Sequence, residues 1–260
     1  MNNIDSVRKN HPLVHCLTNQ VVMNFTANGL LAIGASPVMT ASVHEASDMV
    51  EQAQALLINM GTPTDEQVEA MLRAGKRANE CGIPVVFDPV GVGATEYRKK
   101  VAESILTNIN VTVIRGNGGE IATLAGSTAN VRGVDGSTSA HPKQVANKVA
   151  QKYNTIVAMT GPEDVVSDGT RTTIIRNGHP FMNQVVGTGC LLGAVVAAFV
   201  GNTKDYFEST KNALVTYAVA GEFAYAEAGH RGIGSFQIAF LNQLHRITDE
   251  DVKQNQCVKI

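Results

Sequence analysis

Asn183-Gln184-Val185-Val186-Gly187-Thr188-Gly189-Cys190 runs without a break into Leu191-Leu192-Gly193-Ala194-Val195-Val196-Ala197-Ala198-Phe199-Val200. The second half has the length and uniform apolarity of a buried helix, and Gly201-Asn202 stops it. The first half is a glycine turn that opens this helix. Without Cβ atoms, its glycines let backbone N–H groups approach an anion closely. The N–H groups of a first helical turn lack intrahelical acceptors, and the helix dipole favours negative charge there. Cys190 falls on that first turn, beside such an anion. A tight loop into a packed helix, with Cys190 as a small core residue, is the competing reading of the same residues.

Upstream of the turn, apolar strands alternate with helices. Val14-His15-Cys16-Leu17 reads as a strand that ends in Thr18-Asn19. A helix over Asn24 to Ala32 follows, closed by Gly34, and Ser36-Pro37-Val38-Met39-Thr40 is a short strand or extended segment. Ser42 and Glu45 form an S-x-x-E capping box ahead of Ala46, Met49, Val50 and Ala53 at helical spacing. Ala55 to Met60 is continuously apolar but for Asn59, as in a parallel strand covered on both faces. Thr64 and Gln67 make a second capping box, opening a helix that runs to Gly82. Val85 to Val90 is the next strand, ending in Gly91-Val92-Gly93, and Tyr97 to Leu106 is helical. Val111 to Arg115 is a strand followed by Gly116-Asn117-Gly118-Gly119-Glu120 and a short helix over Ile121, Leu124 and Ala125. Ser127 to Ala140 reads as a polar surface loop, and Pro142 suits the first turn of a helix carrying Val145 and Val149. Thr155 to Thr160 is a strand, and Val165 to Arg176 a hairpin turned at Asp168-Gly169. Beyond the glycine turn, Asp205 to Ala228 and Ile233 to Arg246 are helical.

This alternation predicts an α/β fold, a mostly parallel central sheet with helices on both faces. Ligands bind such sheets at the carboxyl ends of the strands. Asn19, Asp88, Arg115, Asn117 and Thr160 all fall at such ends. No linker or shift in composition divides the chain, so residues 1–260 are expected to form one domain.

Composition narrows the partners. A net charge of −2 argues against nucleic acid and anionic membrane surfaces. The start, Met1-Asn2-Asn3-Ile4-Asp5, lacks the basic-then-apolar pattern of a signal peptide, and Leu191 to Val200 is too short to cross a bilayer. Cys16, Cys81, Cys190 and Cys257 are widely spaced, which argues against a zinc site or disulfide framework and suits a reducing cytoplasm.

The motifs exclude several chemistries. No G-x-x-x-x-G-K-[ST] occurs, Gly91-Val92-Gly93 lacks the third glycine of a dinucleotide fingerprint, and His44-Glu45 has no second histidine four residues on. What remains handles phosphate. Asp88 ends a buried strand, and Glu120 follows Asn117 at a strand-to-helix turn. Two such carboxylates can hold Mg²⁺, which keeps several waters and takes a few carboxylates plus substrate phosphates. Arg115 offers a rigid fork to phosphate oxygens, and Thr160 a hydroxyl. Taken singly, Asp88 and Glu120 read equally well as capping or turn residues, and Arg115 as an ordinary ion-pair partner. Together with the glycine turn at one sheet edge, the set points to phosphoryl transfer. A thiol near pKa ~8.5 is lowered at a helix N-terminus beside positive charge, so some thiolate at Cys190 is expected near neutral pH.

These residues carry a resemblance. His15-Cys16-Leu17-Thr18-Asn19, Ser36-Pro37-Val38-Met39, Asp88-Pro89-Val90-Gly91-Val92-Gly93, Ile114-Arg115-Gly116-Asn117-Gly118-Gly119-Glu120 and Gly187-Thr188-Gly189-Cys190 resemble the hydroxyethylthiazole kinase family of the ribokinase-like superfamily. Related vitamin kinases usually carry Asp at the position of Cys190. The resemblance implies ATP-dependent, Mg²⁺-supported phosphorylation of the primary alcohol of 4-methyl-5-(2-hydroxyethyl)thiazole in thiamine salvage. It further implies a homotrimer with active sites between subunits. By the same resemblance Met39, Gly187 and Asn19 serve the thiazole, Arg115, Thr160, Asn117 and Gly189 serve ATP, Asp88 and Glu120 serve the metal, and Cys190 is catalytic. A hydroxymethylpyrimidine or pyridoxal kinase, or a non-catalytic nucleotide-binding protein on the same fold, is the alternative.

Overall fold

The computed structural model describes residues 3–126 and 141–259; the expected surface loop from Ser127 to Ala140 lies outside them. The described elements are α1 (Ile4–Asn10), β1 (Leu13–Leu17), α2 (Met23–Ala32), β2 (Ser36–Val38), α3 (Ala46–Glu51), β3 (Ala55–Asn59), α4 (Asp65–Glu80), β4 (Val85–Asp88), α5 (Glu96–Asn108), β5 (Val113–Asn117), α6 (Gly118–Leu124), α7 (Pro142–Tyr153), β6 (Ile156–Thr160), β7 (Asp164–Ser167), β8 (Thr172–Ile175), α8 (Thr188–Gly201), α9 (Tyr206–Ala228), α10 (Ile233–Arg246), α11 (Asp249–Asn255) and β9 (Val258–Lys259).

One sheet runs in the order β2-β1-β3-β4-β5-β6-β7-β8-β9. Pairing is parallel from β2 to β6 and antiparallel from β6 to β9. Successive strand residues point to opposite faces, and the core divides accordingly. Leu57, Val86, Val113 and Ala158 pack under α8, α9 and α10 on one face. Leu56, Ile58, Phe87, Ile114 and Val157 pack against α4, α5 and α7 on the other. From Leu191 to Val200 every residue of α8 is buried, which explains its lack of a polar face.

Local rules hold at several starts and stops. Thr64 and Gln67 form the expected capping box of α4, and the hairpin closes with Ser167 opposite Thr172. The Ser42/Glu45 box does not form. Ser42 Oγ instead accepts the His44 N–H within a turn, and the Glu45 carboxylate accepts the Thr40 hydroxyl, so α3 begins only at Ala46. Strand β5 also starts later than the apolar run suggests, because Thr112 turns its hydroxyl to the Val85 N–H; the strand continues to Asn117, opposite Thr160.

Candidate active site

The two-residue period that sorts the core also builds the site. Asn59 lies two residues beyond Leu57, Asp88 beyond Val86, Arg115 beyond Val113 and Thr160 beyond Ala158, so all four leave the sheet on the α8 face. Each stands at or near its strand's carboxyl end. The apolar layer under α8 gives way there to a polar one.

That layer is a connected network. Asn19 Nδ2 donates to Asn59 Oδ1 at 2.8 Å and Asn59 Nδ2 to Asp88 Oδ2 at 3.0 Å. Arg115 reaches the same Oδ2 at 3.4 Å and donates to Thr160 Oγ1 at 2.8 Å. Asn19 Nδ2 also lies 3.5 Å from Cys190 Sγ. Asp88 is fully buried, and its Oδ1 and the Arg115 Nε have no hydrogen-bond partner in the protein. Buried polar atoms are normally paired, so an orphaned carboxylate oxygen and an orphaned guanidinium nitrogen on two ion-paired side chains mark a place for a polar ligand.

The glycine turn closes the site from above. Gly187 caps α8 in the left-handed region, φ 95°, beside Val22 and Phe25, with Val21 and Val186 exposed nearby in sequence. The Thr188 N–H is taken by the Val185 carbonyl, and its hydroxyl donates to the Met182 carbonyl at 2.7 Å. Because Leu191 makes the first four-residue bond back to Gly187, Gly189 and Cys190 carry the first-turn N–H groups that lack an intrahelical acceptor. A Cβ at Gly189 would stand 3.0 Å from both terminal nitrogens of Arg115. Glycine at that position lets the guanidinium lie close under the helix start.

Electrostatics follow from burial. Desolvation pushes Asp88 well above the usual carboxylate range, with Arg115 pulling it back and Glu120 adding to the rise. Burial works against the charge on Arg115, yet Asp88 and Glu120 hold it above its ordinary value. Cys190 corrects a sequence expectation. Burial, with the Asp88 charge behind it, pushes its thiol up to about 11, against the opposing pull of the Asn59 and Asn19 amides and Arg115. Those causes leave it a thiol rather than a thiolate near neutral pH. Asp164, whose carboxylate accepts the Gly161 N–H, is likewise raised by burial to about 6 and lies within electrostatic range of Arg115.

The other candidates are placed differently. Glu120 and Asn117 form a reciprocal capping box on α6, and the second oxygen of Glu120 accepts the Gly91 N–H at 2.9 Å. Both oxygens thus hold backbone while the charge stays in range of Asp88 and Arg115. Met39 follows β2 at the outer end of the same sheet edge, half-buried against the α8-side core and two strands away from Asn59. Among the described residues, no three His, Cys, Asp or Glu side chains cluster as a metal site, and no helix is long and apolar enough to cross a membrane. Sequence reasoning passed over Asn59, Asp164 and Tyr217. Asn59 carried the same signal as Asp88, a polar residue closing an apolar strand. Asp164 opens a hairpin strand, and Tyr217 reaches the Thr188 carbonyl at 2.6 Å from mid-α9, so neither had a local signature.

Comparison with known proteins bears on this arrangement. The family model described as "Hydroxyethylthiazole kinase family" matches residues 4–250. A protein named hydroxyethylthiazole kinase from Halalkalibacterium halodurans is 54% identical over 253 residues, covering 97% of each chain. The solved structure of a hydroxyethylthiazole kinase protein from Pyrococcus horikoshii OT3 superposes with a TM-score of 0.90 at 41% identity, covering 98% of this chain and 96% of that one. A ribokinase-like superfamily protein from Enterococcus faecalis, 13% identical with a TM-score of 0.64, covers 94% of this chain and 89% of its own and shares the fold alone.

Proposed function

The chain belongs to the hydroxyethylthiazole kinase family, and from that premise we propose that the polar sheet edge under α8 is where its phosphoryl transfer occurs. The protein is a phosphotransferase with an alcohol acceptor, acting on hydroxyethylthiazole with ATP as co-substrate. The oxygen of the primary alcohol bonds to the γ-phosphorus, the bond to the bridging oxygen of ADP breaks, and the hydroxyl proton, lost late in a loose transition state, passes to water. The observation that carries the site is the pair of orphaned atoms, Asp88 Oδ1 and Arg115 Nε, buried beneath a glycine-opened helix start.

Each residue has a role in this reading. The N–H groups of Gly189 and Cys190 and the Arg115 guanidinium meet the transferring phosphate, where negative charge is spread over its oxygens. Thr160 orients Arg115, and Asn117 fixes the loop that faces the nucleotide. Asp88 and Glu120 would hold Mg²⁺, Glu120 lending its charge while its two oxygens accept the Gly91 and Asn117 N–H groups. The orphaned Asp88 oxygen fits an ion that accepts a few carboxylates and keeps its waters. When bound, that ion would neutralise charge on the phosphate oxygens. Asn59 fixes the Asp88 carboxylate. Cys190, held protonated, places the substrate hydroxyl with Asn19 rather than removing its proton at rest. Gly187 keeps the mouth narrow beside Val22 and Phe25, where a thiazole ring is apolar enough to pack.

Residues 1–260 act as one domain, in a homotrimer whose neighbouring subunit brings Met39 to the ring. Val21, Leu31, Val186 and Ile238 are exposed apolar side chains that such an interface would cover. A reducing cytoplasm suits the four unpaired cysteines. The test is a coupled ADP-release assay on a panel of alcohols. The thiazole alcohol gives the highest kcat/KM; a hydroxymethylpyrimidine or pyridoxal turned over faster would overturn the assignment of substrate.

A further inference from the structure

Arg98 sits on the first turn of α5, and its side-chain hydrogen bonds go to backbone carbonyls rather than to the side chains assigned to substrate. Its Nη1 donates to the Met60 carbonyl at 3.0 Å and the Val90 carbonyl at 2.7 Å, and its Nη2 to the Gly61 carbonyl at 2.7 Å. One guanidinium thereby ties the loop after β3 to the loop after β4. Among the described residues it forms no ion pair with a carboxylate.

The peptide units it holds are the ones that hold the site. The Met60 carbonyl shares its peptide with the Gly61 N–H, which donates to Asn59 Oδ1 at 3.0 Å. The Val90 carbonyl shares its peptide with the Gly91 N–H, which donates to Glu120 Oε1 at 2.9 Å. We propose that Arg98 is a positioning residue for phosphoryl transfer, setting Asn59 and Glu120 through these two peptide units.

The physical argument is one of alignment. A cation at a peptide's oxygen polarises the unit and strengthens the bond its N–H makes, so each bridge is stiffer than its separate links. Asn59 in turn carries Asp88 and Asn19, so one fork governs both carboxylates that face the phosphates. The planar guanidinium spreads its donors over two terminal nitrogens and so reaches three carbonyls on two loops in a fixed geometry; an ammonium's three donors radiate from a single nitrogen on a flexible stem. The inference rests on the proposed site, since it assigns Arg98 an effect through Asn59 and Glu120.

The test combines amide exchange with kinetics on full-length Arg98→Met, Arg98→Lys and Glu120→Gln. In Arg98→Met, hydrogen exchange at Gly61 and Gly91 quickens by about tenfold or more while Ile58 and Phe87 stay protected, as for a local opening. Its kcat falls by about ten- to a hundredfold with KM for the alcohol little changed, the signature of misplaced reacting groups. Arg98→Lys recovers part of both. Parental exchange at the two glycines, exchange rising equally at Ile58 and Phe87, or parental kcat in Arg98→Met overturns the proposal. Glu120→Gln separates the failures. A parental kcat there removes Glu120 from the site itself, whereas a lowered one beside a parental Arg98→Met removes only Arg98.

Discussion

Asn59 and Asp88 stand opposite each other in register on neighbouring parallel strands, and the Asn59 amide donates to Asp88 Oδ2 at 3.0 Å. Both are buried, so the pair has no water to fall back on. The amide also fixes which Asp88 oxygen faces Arg115 and leaves Oδ1 for a ligand.

Asn59→Leu keeps the branching of the side chain, with somewhat bulkier methyl groups, and removes the amide. Asp88 then loses a donor and Asn19 an acceptor, and an unmatched buried polar group costs ~1–3 kcal/mol. The melting temperature should fall by roughly 2–10 °C for a chain of this size, and kcat by about tenfold or more through the displaced carboxylate. Thermal unfolding and steady-state kinetics on the same preparation check it. A stable variant with parental kcat would take Asn59 out of the site.

Cys190 should behave as a protonated thiol. With its pKa pushed up to about 11, the thiolate fraction is small below pH 9 and grows as pH rises toward 11. Iodoacetamide should therefore label the exposed Cys81 and Cys257 at pH 8 well before Cys190, read by peptide mass. Cys190→Ala should lower kcat by about tenfold, a loss of placement rather than of a base, and Cys190→Asp should remain active. Rapid labelling of Cys190 at pH 8 would restore the thiolate base.

If Met39 acts on a neighbour's site, two inactive variants complement each other. Mixing Met39→Asp with Cys190→Arg, after dissociation and reassembly, yields trimers with some sites intact on both sides. Activity should return in the mixture and scale with the mixed fraction measured by native mass spectrometry. Verified mixed trimers without activity would mean that each site is built from one chain.

Much of this was legible in the sequence because it depends on local rules. The apolar runs at Ala55–Asn59 and Val85–Asp88 show a covered parallel sheet, and strand-end polar residues show its ligand edge. Gly187 and Gly189 show the opened helix. Local reading fails where long-range packing decides. The position of Cys190 on a first helical turn predicts an acidified thiol, but burial and the Asp88 charge raise it, and no spacing in the chain reports that burial. The Ser42/Glu45 box lost to a contact with Thr40 that only the folded chain brings about. Glu120 shows both sides, since its N-x-x-E spacing does cap α6, while the bond to Gly91 crosses 29 positions and could not be read.

The most direct test is to incubate the protein with γ-labelled ATP, Mg²⁺ and the thiazole alcohol and to follow both products. The account predicts label on the alcohol oxygen in equal amount to ADP formed, with Asp88→Asn reducing transfer by about a thousandfold or more, as when charge at the phosphates is lost. Label released only as inorganic phosphate, no turnover despite bound ATP, or parental transfer by Asp88→Asn would contradict it.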